Sequence, residues 1–276
     1  MSTHAAEVLR MQDTAGAFAR LVDRWIWVFM AALFITAVLA GFIPDSISLV
    51  QDVQAHKSPP LPWFLHIHAV AMGSWMLVLL AQTLLMATGQ RRGHASLGAA
   101  SLALAPLVLL LMIVMTAAFG GRALLQPPGS VPLPRYSFLL GLVFFLQGRA
   151  IVLFTVFYIW GFLARHTLPD THKRLMLLAT WSMIDAGLAR IPGANELGLS
   201  LGLKQLGLDG RFDPSMVWQL AILLPALLYD LIRRGRVHYA WVVGIGAYLP
   251  FFVATHVLTK APSWWLHILS GITGRS

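Results

Sequence analysis

Residues Leu97–Phe119 read LGAASLALAPLVLLLMIVMTAAF, without one charged side chain. Roughly 20 apolar residues, rising 1.5 Å each, are enough to cross the ~30 Å hydrocarbon core of a bilayer, so this stretch predicts a membrane-spanning helix. The same pattern recurs on both sides of it. Further spans are predicted over Leu21–Phe42, Pro62–Thr88, Ser137–Ala164, Arg174–Ile191, Met216–Ile232 and Tyr239–Leu258. Turn residues punctuate these blocks at Pro44, Pro59-Pro60, Gly120-Gly121, Pro127-Pro128, Pro169 and Pro192-Gly193. The long link from Gly193 to Pro214 is rich in Leu and Gly, and it is expected to rest on the membrane surface.

Composition agrees with this reading. Of 276 residues, 58% are hydrophobic and 11% charged, where a soluble domain carries about 25% charged residues. The short alternating strands of a β-barrel are absent from the pattern. The net charge of +9 does not point to nucleic acid, because Lys and Arg fall in short runs between apolar blocks, where they report orientation. Cysteine is absent, which excludes disulfides, thiolate metal sites and iron–sulfur clusters. The first apolar block follows about 20 mixed residues and is long enough to span, so no cleavable signal peptide is expected.

Before that block, Val8, Met11, Ala15, Phe18 and Val22 recur at helical spacing between Glu7, Arg10, Asp13 and Arg20. That spacing predicts an amphipathic helix lying on the membrane surface. The expected fold is therefore an all-α integral membrane protein: a cytoplasmic amphipathic segment over residues 1–20, then one domain of about seven transmembrane helices over 21–276. Alternate connections hold Arg91, Arg92, Arg165, Lys173, Arg233, Arg234 and Arg236 in tight clusters at span ends, and the other set is poorer. The positive-inside rule then places the N-terminus in the cytoplasm and the C-terminus in the periplasm of a bacterial inner membrane.

Polar groups inside a bilayer are costly and mark function. Ten histidines are present, most of them at span ends. His94, His172 and His238 fall at the cytoplasmic side, and His66, His68 and His256 at the outer side. His68 shares a helical face with Met72, Trp75 and Gln82, and His172 shares one with Met176, Ala179, Met183, Ala186 and Arg190. Imidazoles at matched depth can ligate a haem axially or form a non-haem metal site. Two charges lie mid-span at similar depth, Arg149 and Asp185, and are expected to pair as a structural clamp. Arg190, near the outer surface, is a candidate for binding an anionic group such as a haem propionate or a lipid phosphate.

Five strings carry a resemblance: His66-Ile67-His68-Ala69-Val70 with Trp75 and Gln82; His94-Ala95-Ser96-Leu97-Gly98; His172-Lys173-Arg174-Leu175-Met176 ending at Arg190; Tyr229-Asp230-Leu231; and Arg236-Val237-His238. Together they resemble a common family of bacterial polytopic inner-membrane proteins. The histidine elements are similar to those of predicted haem-binding proteins related to the ferric-reductase-like b-type cytochromes. The resemblance implies haem b, with His94 and His172 as the inner axial pair and His68 as one outer ligand. The fourth span departs from that pattern, offering Gln147 and Arg149 where a second outer histidine is expected. The outer site then uses His256, or one haem remains, or none.

Three functions stay open on the sequence. The first is a b-type cytochrome passing electrons to or from a redox partner or quinone. The second is a non-haem enzyme holding a single transition-metal ion on His94, His172 and His238. The third is a transporter or accessory subunit without a cofactor, against which counts the expectation of uninterrupted spans.

Overall fold

The computed structural model describes residues 3–121, 124–127, 129–209 and 213–274, with side chains described from residue 16 onward except that of residue 119. The chain forms α1 (Thr3–Gln54), α2 (Trp63–Ala87), α3 (Arg91–Thr116) and α4 (Leu133–Ala164). Then come α5 (Pro169–Trp181), the single turn α6 (Asp185–Leu188), the surface helix α7 (Ala194–Ser200), α8 (Asp213–Arg234), α9 (Tyr239–Lys260) and α10 (Ser263–Thr273). Among the described residues six helices are long and apolar enough to cross a membrane: α1, α2, α3, α4, α8 and α9.

The helix ends follow local chemistry. Pro169 opens α5, where its missing N–H costs nothing. Gly235, at φ 67, closes α8 in the left-handed conformation that only glycine adopts without strain. At α9, His238 accepts a hydrogen bond from the Ala240 N–H and caps the first turn.

These six helices form a ring in the order α1, α2, α3, α4, α9, α8, with α8 closing back on α1. The pair α5 and α6 fills its centre, touching α1, α2, α4, α8 and α9. Leu175, Leu177, Leu178, Ala179, Thr180, Trp181 and Ser182 are all buried there. This central segment runs from one end of the bundle to the other. At the end carrying His94 and His172, Asp170 accepts from Arg234 of α8. At the opposite end, Arg190 donates to Asp45 of α1 at 3.0 Å.

Three expectations need correction. The stretch Arg174–Ile191 is not one helix: after Trp181 the bonds tighten to the i−3 type, Met183 to Thr180 and Ile184 to Trp181, before α6 resumes. Surrounded by protein, the segment can carry Thr180, Ser182 and Asp185 at depth, because these groups face helices rather than lipid. Pro44 is not a turn but lies inside α1, which continues to Gln54. The surface helix foreseen before the first span is continuous with it, and α1 at 52 residues is about 78 Å long. The apolar face proposed for that surface helix includes Val8, Met11 and Ala15, whose side chains lie outside those described. The last helix, α10, was not foreseen. It follows Pro262 and packs through Leu269 and Trp265, whose indole donates to Ser137 at 2.9 Å.

Candidate functional site

His94 sits in the first turn of α3 and His172 in the first turn of α5, at the same end of the bundle. Their ring centroids lie 6.2 Å apart with the planes perpendicular, at 86°. His172 Nδ1 lies 2.8 Å from the Gly161 carbonyl of α4. A carbonyl can only accept, so Nδ1 carries the proton and the Nε2 lone pair is free for a ligand. That is the usual arrangement of a metal-ligating histidine, whose second nitrogen is held by a backbone carbonyl. The close approach needed for this bond comes from Gly161: a Cβ there would fall 2.5 Å from Met176 Cε and 3.0 Å from Leu175 Cβ.

Around the pair lie groups whose hydrogen-bonding capacity is unused. Among the described residues, His94 Nδ1 and Gln82 Oε1 are enclosed and have no partner. Gly98, one turn after His94, faces the Gln82 amide, which a Cβ would approach to 3.4 Å. Beyond them Tyr158 shares a hydrogen bond with Ser101 at 3.1 Å, and Trp75 packs edge-on against Tyr158 and Phe154 while donating to Thr180. This is an aromatic wall between α2, α4 and α5.

The other predicted residues are placed differently. His238 caps α9, stacks on Tyr239 and does not join the pair; among the described residues no three His, Asp or Glu side chains converge as a metal site. Burial, and after it the nearby Arg174 cation, hold His238 below its ordinary value and so neutral. His256 Nδ1 bonds the buried Asp213 at 2.8 Å. His68 Nδ1 is enclosed and has no hydrogen-bond partner among the described residues, and its helix α2 is not a neighbour of α9, which carries His256. Arg190, a candidate for binding an anionic group, pairs at the surface with Asp45 and lies over Phe42. That partner became available because α1 continues past Pro44.

The intramembrane charges are paired. Arg149 Nη2 lies 2.8 Å from Asp185 Oδ2, the arginine fully buried and its guanidinium 4.7 Å from the Tyr248 ring. A second buried pair went unrecognised in the sequence. Arg174 grips both carboxylate oxygens of Asp230, and Trp241 donates to the same carboxylate at 2.8 Å. Arg174 also lies over Trp27 of α1, so this group ties α1, α5, α8 and α9 together. Its signal was present, since Asp230 falls within an apolar block as Asp185 does. Arg174, however, read as a span-end cation.

Comparison of the chain with protein-family models, with curated proteins and with solved structures gave no match. The functional reading rests on the site itself.

Proposed function

We propose that this protein is a seven-span b-type cytochrome of the bacterial inner membrane, holding one haem between His94 and His172 and exchanging electrons with a redox partner or quinone. The seventh span is the central segment Arg174–Ile191, broken at Ser182–Ile184 and shielded from lipid by the ring. The observation that carries the reading is the spacing of the imidazole pair, one ring from each of two helices. With a metal about 2 Å from each ligating nitrogen and each ring centre about 1 Å further back, opposed ligation spaces the centres by roughly 6 Å. A tetrahedral zinc would draw the same two rings to about 5 Å. The separation of 6.2 Å fits the opposed arrangement. The Gly161 carbonyl fixes the His172 tautomer and leaves its Nε2 as the ligating nitrogen.

A bound haem would supply one-electron exchange. The residues of this chain would orient the ligands, exclude water through Trp75, Phe154 and Tyr158, and hold the helices in register. The interrupted α5–α6 segment favours a second reading, a transporter without a cofactor, because broken helices at bilayer depth are a transporter feature. One measurement separates the two. Protein purified in detergent from haem-replete cells should show a Soret band and, after dithionite, the sharp α-band of a six-coordinate b haem. His94→Ala and His172→Ala should each abolish the six-coordinate spectrum, while His238→Ala and His256→Ala keep it. A colourless parent protein would overturn the cytochrome and leave the transporter.

A further inference from the structure

A groove of about 730 Å³ opens on the lipid side of α9, between that helix, the π-helical stretch Gly141–Gln147 of α4, and α10. Its wall is apolar from end to end, with Phe145 on one side, Gly246, Pro250, Val253 and Val257 along α9, and Trp265 at the mouth. From Gly246 to Val257 the wall runs about 16 Å, one leaflet of hydrocarbon. A tail lying in it is therefore immersed over its whole length.

One polar feature interrupts this surface. Pro250 lies inside α9 and has no N–H, so the Gly246 carbonyl loses its regular helix donor. Gly246 is exposed and has open space where a side chain would stand. A carbonyl freed of its regular donor at bilayer depth can accept from a bound molecule, while lipid tails offer no donor. Phospholipids keep their donors at the membrane surface. A hydroquinone with an isoprenoid tail carries O–H donors into the hydrocarbon, on a flat ring that suits the space between Phe145 and a residue without a side chain.

We propose that this groove binds an isoprenoid hydroquinone, the ring beside Gly246 and the first isoprene units along Val253 and Val257. The inference rests on the proposed function only for the choice of a quinone as partner. Gly246 is the groove residue nearest the histidine end of α9, so the ring would sit on the side facing the proposed haem.

The test is binding of decylubiquinol to the detergent-purified protein, followed by quenching of tryptophan fluorescence. Quenching should saturate. Gly246→Leu, which fills the ring position, and Val253→Phe, which narrows the tail position, should each weaken binding by about tenfold or more. Gly271→Leu, on α10 with nothing near its added side chain, should bind like the parent. Should Gly246→Leu fail to fold, Val253→Phe decides. Equal displacement by phosphatidylglycerol would mean that the groove takes acyl chains and would overturn the quinol, as would quenching that does not saturate or that survives both groove variants. The readout needs no haem, so its failure and that of the cytochrome reading are distinguishable.

Discussion

A guanidinium fully buried among α4, α6 and α9 is tolerable only while its partner is present. Arg149 has Asp185 at 2.8 Å and the Tyr248 ring beneath it, and among the described residues its nitrogens make no aligned hydrogen bond beyond this ion pair. Asp185→Leu should therefore cost about 3–5 kcal/mol, since it leaves a buried unpaired charge. The double variant Arg149→Met with Asp185→Leu should regain most of that loss. SDS-induced unfolding in mixed micelles measures both, and an unchanged midpoint for the single variant would show that the pair is not a clamp. This pairing was legible because each charge stands alone in an apolar block, at similar distance from the turn near Leu168. Two others were not. Asp45 lies just past a proline that read as a turn, which hid it from Arg190, and Arg174 sits in a basic cluster that read as interfacial, which hid it from Asp230. Spacing along the chain reveals an isolated charge, but its partner depends on which helices meet.

At the level of the helix, α5 shows what hydropathy can and cannot read. Its neighbours had to be apolar because they face lipid, and their spans were predicted closely except that of α1, which continues through Pro44. The central segment faces only protein, so its sequence is constrained by packing and tolerates polar residues and a break. The same packing makes Gly161 of α4 a point of contact, with Leu175 and Met176 directly against it. Gly161→Val should wedge α4 from α5 and lower stability by on the order of 1–3 kcal/mol, the usual cost of overpacking. Since the Gly161 carbonyl also holds His172, any haem signal should weaken in parallel. Gly73→Val is the matched control, because a Cβ there meets nothing within 4 Å. Equal thermal midpoints for the two variants would show that α4 and α5 do not depend on this contact.

For the molecule as a whole, the ring around a central strut turns topology into a question of sides. The histidine end carries Arg20, Arg24, Arg91, Arg92, Arg165, Lys173, Arg233, Arg234 and Arg236, and the opposite end carries Lys57, Arg135, Arg190, Lys204 and Lys260 among the described residues. The richer end should face the cytoplasm, which places the imidazole pair near the inner surface. Because the chain has no cysteine, single cysteines report sidedness without background. Gln90→Cys and Thr167→Cys, exposed in the turns at the histidine end, should resist a membrane-impermeant maleimide in intact cells and react after permeabilisation. Ala55→Cys and Ser130→Cys, exposed at the other end, should react at once. Glu196→Cys carries the most information, since only α5 and α6 separate it from Thr167. If that broken segment crosses the membrane, Glu196→Cys labels from outside with Ala55→Cys. If it labels with Thr167→Cys, the segment returns to its own side, and the chain crosses six times. A reversal of the whole pattern would keep seven crossings but move the imidazole pair to the periplasmic face.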